Sequence, residues 1–358
     1  MKRNWLLVSA ALSLLALSGL ASAQTYPEIL IPPAKGPFTF AKGYQIPWDK
    51  IQIAVTEKIA PNIFLLHGSP GLDTAHPDAS GGRIAVLFGP DGVLMVDSED
   101  VQLAEKSLKI IRTFTNAPIR IMVNSHIHPD HTGGNAFFAK QGAVIFSQEN
   151  LREEMLNPPP RANGQSAPAP DPAGVPVGTY KYDPAHQGDP AMTIRMDGET
   201  VDFIPMMPSH TAGDTIIRFR KANAIYIEDF YRNFGYPFAD QAEGGSIKGM
   251  LEATDLIGKL ADDNTILIPG HGTLIHKKDL LPYRRMLVEV LAKVKSLRDQ
   301  GKSLGDVLAM NLTAPYDGAT LGDSQDSKDR FITEVYYEVK DFPPVVDGKR
   351  TMPRSPGR

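Results

Sequence analysis

The chain of 358 residues contains no cysteine. Disulfides, iron–sulfur clusters, cysteine-based zinc sites and thiol nucleophiles are thereby excluded, and so is an acylated N-terminal cysteine. A dominant charge is missing as well: 37 Lys and Arg stand against 41 Asp and Glu, a formal net charge of −4. Without a basic excess, nothing drives counterion release from phosphates, and no nucleic-acid partner is expected. Beyond the first 20 residues no segment is long and apolar enough to span a bilayer. What is present is ordinary for a globular protein, with 42% hydrophobic and 22% charged residues. That apolar content is too high for a wholly disordered chain.

The N-terminus differs from the rest. Met1-Lys2-Arg3 is followed by an apolar run from Trp5 to Leu20 and then by Ala21-Ser22-Ala23 before Gln24. A basic start, an apolar stretch shorter than a membrane span and a small-x-small site make a secretory signal peptide. The expectation is cleavage after Ala23, a periplasmic or secreted protein, and no membrane anchor on the mature chain. Residues 24–58 read as an arm, Pro-rich and irregular up to Trp48; 59–310 form the main domain and 311–358 a C-terminal extension ending in a frayed basic tail.

Within the domain, apolar runs predict strands over 59–66, 83–88, 93–96, 119–123, 143–147, 192–196, 201–207, 215–219, 224–228 and 265–268. Gly89-Pro90-Asp91-Gly92 between two of these runs reads as a hairpin turn. Helical periodicity predicts helices over 101–114, 133–140, 148–156, 246–260 and 282–298, the last with a stripe of Met286, Leu287, Val290, Leu291, Val294 and Leu297. Residues 158–178 are dense in Pro, Ala and Gly and read as a linker or functional loop. Strands then helices, twice over, suggest two layered halves packed sheet against sheet.

Histidines carry the chemistry. His126-x-His128-x-Asp130-His131 packs four metal-type donors into six residues after a buried strand, more than ordinary packing can satisfy. His126 and His128, two apart, can point the same way in an extended loop. Asp130 and His131, after the turn that Pro129 imposes, can face a second ion. His210, in Ser209-His210-Thr211-Ala212-Gly213-Asp214, would complete a three-His site, with Asp214 supporting its loop by hydrogen bonds. Asp229 is preferred to its neighbour Glu228 as a carboxylate at a strand end that could bridge two cations, and His271 lies between glycines in Pro269-Gly270-His271-Gly272.

These motifs, in this order and after the hairpin ending at Asp97, resemble the metallo-β-lactamase superfamily over roughly residues 59–275. The resemblance implies an α/β fold, a four-layered αβ/βα sandwich with a two-metal site at one edge. It would give His126, His128 and His210 to the first metal, Asp130, His131 and His271 to the second, and Asp229 to both. Zinc is the expected metal, with iron or manganese as alternatives. Glu228 replaces the Gly often found before the bridging Asp, the cysteine ligand of the B1 β-lactamases is absent, and His128 stands where the flavodi-iron branch carries Glu.

Two cations would acidify a bridging water and polarise a carbonyl oxygen, with Asp130 orienting the nucleophile and handling its proton. The expected reaction is hydrolysis of a carbonyl compound, β-lactam amides included. Lactonase and glyoxalase II-like thioesterase activity are the alternatives, as are a mononuclear-iron sulfur dioxygenase and a non-catalytic metal-binding protein. Substrate loops are sought at 67–82, 158–178 and 230–245, where Tyr231, Phe234, Tyr236 and Phe238 either clamp an apolar substrate or simply pack. Lys248 reads as a solvated residue or a carboxylate binder, His67 and His76 as weak candidates for a loop role, and His186 and His276 as surface residues.

Overall fold

Apolar β-branched runs separated by turn residues build most of the structure, a computed structural model that describes residues 48–70, 81–158, 169–232, 235–319 and 325–339. The expected signal segment, His76, Phe234 and the basic tail lie outside the described residues. The first sheet has seven strands in sequential order: β1 (Ile51–Ala60), β2 (Ile63–Pro70), β3 (Ile84–Gly89), β4 (Gly92–Val96), β5 (Ile119–Val123), β6 (Val144–Gln148) and β7 (Gly178–Tyr180). The second has five, in the order β12-β11-β10-β9-β8, formed by β8 (Met192–Met196), β9 (Glu199–Pro205), β10 (Thr215–Phe219), β11 (Ala224–Glu228) and β12 (Ile266–Pro269).

Three apolar clusters show the layering. Leu65, Leu87, Leu94 and Val123 of the first sheet meet Phe203, Ile217, Phe219 and Tyr226 of the second. The other face of the first sheet is covered by Leu103, Ile111 and Phe114 of the α1 segment (α1, Ala104–Phe114) and by Phe138 of α3 (Asn135–Lys140), which follows the one-turn α2 (Pro129–Thr132). After α4 (Glu149–Leu156), the helices α5 (Ile247–Leu260), α6 (Lys277–Asp299), α7 (Leu304–Leu308) and α8 (Gln325–Glu338) cover the outer face of the second sheet. The order helix, sheet, sheet, helix is the expected αβ/βα sandwich. Among the described residues no helix is long and apolar enough to cross a membrane.

Several expected elements are redrawn. The single run 59–66 is the end of β1, a turn at Pro61-Asn62 and the start of β2, with Ala60 paired to Ile63. The apolar count outweighed a turn dipeptide that favours reversal. The boundary expected between 58 and 59 therefore falls inside β1, whose Ile51, Ile53 and Val55 are core. The 133–140 helix starts earlier, at Pro129, and divides into α2 and α3 at Gly133-Gly134. Gly133 and Gly134 pass so close to Asp100, Val101 and Ser98 that an added Cβ would meet backbone atoms at 2.7 and 2.2 Å. α6 begins at Lys277, and Pro282, expected at its start, sits inside it at the cost of one backbone hydrogen bond. The 158–178 loop ends in structure: Gly174 accepts from Asn135 Nδ2 at 3.0 Å, and β7 begins at Gly178. The extension expected from 311 onward supplies Phe331, Ile332 and Val335 to the core over α5 and α6, so its described part belongs to the domain.

β4 runs parallel to β5, and β11 parallel to β12. The loops after β5, β9, β11 and β12 consequently open at one edge of the sandwich, where the histidines lie.

Candidate metal centre

Each ligand candidate sits where a buried strand stops and the chain turns. β5 ends at Val123 and leads through Asn124 and Ser125 to His126, His128 and α2, which carries Asp130 and His131. β9 delivers His210, β11 delivers Asp229, and β12 delivers His271. Glu228 turns the chain with φ +45°, an unusual conformation for a non-glycine residue that swings Asp229 toward the cleft. Five of the seven are buried, and His128 and Asp130 are half-buried.

The seven side chains converge in overlapping groups whose ligand atoms lie within 4.8 Å of one another: His126, His128 and His210; His126, His131 and Asp229; and Asp130, His131 and His271. His210 Nε2 is 3.0 Å from His128 Nδ1 and 3.8 Å from Asp229 Oδ2. His271 Nε2 lies 3.0 Å from Asp130 Oδ2 and 3.2 Å from Asp229 Oδ2. His131 Nε2 is 3.7 Å from Asp130 and 3.6 Å from Asp229 Oδ1. His126 Nε2, His131 Nε2 and Asp229 Oδ1 are buried without a hydrogen-bond partner. Three orphaned lone-pair donors in one group are costly in a protein interior unless a cation takes them. The donor set fits a divalent metal centre.

The other ring nitrogens are anchored, which decides which nitrogen faces inward. His131 Nδ1 donates to Asp97 Oδ2 at 2.8 Å, and His210 Nδ1 donates to the Phe238 carbonyl at 2.7 Å. Asp97, with φ +64°, also accepts from Ser125 N at 2.7 Å, from Ser125 Oγ at 2.6 Å and from the Tyr226 hydroxyl at 3.0 Å. Asp214 supports the His210 loop as the sequence suggested, accepting from the backbone of His210 at 2.7 Å and from Ser209 Oγ at 2.5 Å. Arg83, buried beside Glu57, donates to the carbonyls of Pro269 and Gly272 on both sides of His271. Glu228 lies 3.6 Å from His126 Nδ1, while Asp229 shares a ligand group with His126 and His131.

Charge is unevenly distributed over the cluster. Burial holds His126 well below the usual imidazole range, and burial with the nearby His128 brings His210 down to about 3. Both rings are thus neutral and can offer a lone pair to a cation. His128 and His271 go the other way. Burial opposes their charge, but Asp240 and Glu243 bring His128 up to about 10, and Asp229 with Asp130 raises His271. Asp229 and Asp130 stay ionised against their burial because of His271 and His131.

Sequence reasoning overlooked the supports. Asp97 reads in the sequence only as the end of the hairpin, although a carboxylate directly after the apolar β4 is the available signal. Asp240 and Glu243, which face His128 Nε2 at 3.3 and 3.2 Å, lie in a loop whose residues carry no such signal. Of the aromatic candidates, Tyr231 and Tyr236 pack in the helix-side core, while the Phe238 ring stacks on His128 at 5.9 Å. His67 is buried, bonds the Gly81 carbonyl at 2.8 Å and faces His271 edge-on at 6.4 Å. His186 is an exposed partner of Asp183, and His276 is exposed at the start of α6.

The fold and the site define a class. Residues 80–226 match the family model of the Metallo-beta-lactamase superfamily. The match stops short of Asp229 and His271. Among solved structures, the fold is similar to a metallo-beta-lactamase from Pontibacter korlensis, with 16% identity, TM-score 0.52, and 66% of this chain and 99% of that chain covered. It is also similar to the stereoselective inverting sec-alkylsulfatase Pisa1 from Pseudomonas sp., with 15% identity, TM-score 0.59, and 82% of this chain but 52% of that chain covered. A curated relative, the linear primary-alkylsulfatase of Pseudomonas sp. (strain ATCC 19151), is 33% identical over 78 residues, which is 20% of this chain and 15% of the relative's length.

Proposed function

We propose that the protein is an exported metallo-hydrolase with two cation positions, acting on a carbonyl compound of the ester, lactone, thioester or β-lactam type. The observation that carries this reading is the set of three buried, unpartnered atoms, His126 Nε2, His131 Nε2 and Asp229 Oδ1, facing one space. His126, His128 and His210 would hold one cation, Asp130, His131 and His271 the other, and Asp229 both. Zinc suits these nitrogen and oxygen donors, with iron or manganese as the alternatives. Two such ions supply a water acidified toward neutral pH and a Lewis acid for the substrate oxygen.

The protein's own part is positioning. Asp130 Oδ2, held 3.0 Å from His271 Nε2 on a half-buried side chain, is placed to orient the attacking water and carry its proton to the leaving group. Gly270 and Gly82 leave room for the cluster, since a Cβ at either would stand within 2.6 Å of an Asp229 or His131 atom.

A sulfate ester is the second reading, favoured by the similarity to two alkylsulfatases. Purified protein assayed for metal content and offered a chromogenic β-lactam, a lactone, a thioester and a secondary alkyl sulfate decides between them. Two equivalents of zinc with turnover of an acyl substrate support the first reading, and turnover of the sulfate alone supports the second. One equivalent of iron with oxygen uptake would favour the sulfur dioxygenase instead. Export is tested by the mass of the protein recovered from the native host, expected to begin at Gln24.

A further inference from the structure

The first ligand group is built asymmetrically. His126 and His210 turn Nε2 inward, whereas His128 turns Nδ1 toward His210 Nε2, 3.0 Å away. An imidazole ligates through the nitrogen that carries no proton, so the partner of the other nitrogen selects the ligand atom. For His128 two carboxylates stand at that nitrogen: Nε2 hydrogen-bonds Asp240 Oδ2 at 3.3 Å, and Glu243 Oε2, which makes no hydrogen bond, lies 3.2 Å away as a charge neighbour. Both carboxylates come from one short turn, which Asp240 closes by accepting from Ala242 N at 3.1 Å. The same stretch reaches the His210 loop three ways. The Phe238 carbonyl takes His210 Nδ1 at 2.7 Å, Asp240 N donates to the His210 carbonyl at 2.8 Å, and Ala212 N donates to the Glu243 carbonyl at 2.8 Å.

Residues 238–243 are in turn held by the C-terminal helix. Ala239 N donates to Glu334 Oε2 at 3.0 Å, and the Gln241 side-chain amide donates to the Glu334 carbonyl at 3.0 Å. The Arg330 guanidinium lies 4.3 Å over the Phe238 ring, with Nε 3.5 Å from Glu334 Oε1. Just upstream, Tyr236 N donates to Ser327 Oγ at 2.8 Å. The second ligand group has other supports: Asp97 behind His131 and Arg83 around His271.

Resting on the metal reading above, we infer that residues 238–243, clamped by Glu334 of α8, are the positioning element of the first cation site. Asp240 and Glu243 keep His128 Nδ1 toward the cleft, and the second site is supported independently. Neither residues 238–243 nor Glu334 lie within the stretch that matches the family model.

The test is cobalt titration of the full chain, followed by absorption, with bound metal counted by elemental analysis and folding checked by circular dichroism. Four proteins are compared: the wild type, the double variant Asp240→Asn/Glu243→Gln, Glu334→Ala and Glu334→Gln. Wild type is expected to take two equivalents. The double variant and Glu334→Ala are expected to hold one equivalent normally and the other about 10- to 100-fold more weakly. Glu334→Gln, which keeps an acceptor for Ala239 N, should match wild type. If Glu334→Ala does not fold, the double variant, on a partly exposed turn, decides alone. The inference is overturned if the folded double variant binds both equivalents normally or weakens both alike. It is overturned too if that variant loses only a third equivalent, which would mean that His128, Asp240 and Glu243 themselves hold a cation. A wild type that binds no cobalt defeats the metal reading and the inference with it, and this failure is read on a different protein.

Discussion

At Gly270 an added Cβ would stand 2.1 Å from Asp229 Oδ1 and 2.9 Å from the His131 ring. Gly270→Ala must displace one of these side chains, and a shift near 1 Å at reacting groups costs on the order of 100-fold in rate. Steady-state kinetics on the best substrate should show that loss with the fold retained; a variant within threefold of wild type would mean the cluster adapts. Asp97 makes the complementary case, because it must accept from Ser125, His131 and Tyr226 together. In Asp97→Asn one acceptor oxygen becomes a donor facing other donors. Cation affinity should fall about 10- to 100-fold, the usual cost of losing a partner behind a ligating histidine. Competition with a chromophoric chelator measures it.

Helix α8 illustrates how an element adds what composition does not show. Its apolar side fills the core, while Glu338 takes the first backbone N–H groups of α5, from Ile247 at 2.6 Å and Lys248 at 3.1 Å. A carboxylate from another helix thus caps a helix N-terminus, where negative charge is favoured. Glu334 is set differently: burial, outweighing the nearby Arg330, brings its carboxyl up from 4.5 to about 8. Between these values the unfolded chain has released this proton while the folded chain keeps it, so this group removes stability as pH rises and removes no more above the upper value. Glu334→Gln abolishes that contribution. In urea unfolding of chelated protein, the stability of the variant relative to wild type should be greater at pH 8 than at pH 5. Parallel profiles would show that Glu334 ionises normally in the fold.

For the whole molecule, the ligand candidates come from both sheets, through the loops after β5, β9, β11 and β12. A cation binding only the folded state ties the two halves together, and at 1,000-fold saturation this is worth about 4 kcal/mol. Removing metal with a chelator should lower Tm by roughly 10 °C, and re-addition should restore it. An unchanged Tm would mean that the groups are not loaded. The residues of this cluster were legible in the sequence because the chemistry is local: His126-x-His128-x-Asp130-His131 concentrates donors that packing alone cannot satisfy, and glycines flank His271. Most strand cores and α5 were legible too, since alternation and helical periodicity record which side is buried. The hairpin of β1 and β2 was not, because one apolar run hid the local turn at Pro61-Asn62, and the membership of α8 in the domain was not, because it depends on partners distant in sequence. Sequence by itself determined which side chains could ligate and which segments could bury an apolar face, since both properties belong to residue types and their spacing. Tertiary structure alone decided which nitrogen of each ring faces the cleft and which distant carboxylate, carbonyl or helix holds it there, because those choices are made by neighbours that only the packing of two sheets and α8 brings within hydrogen-bonding reach.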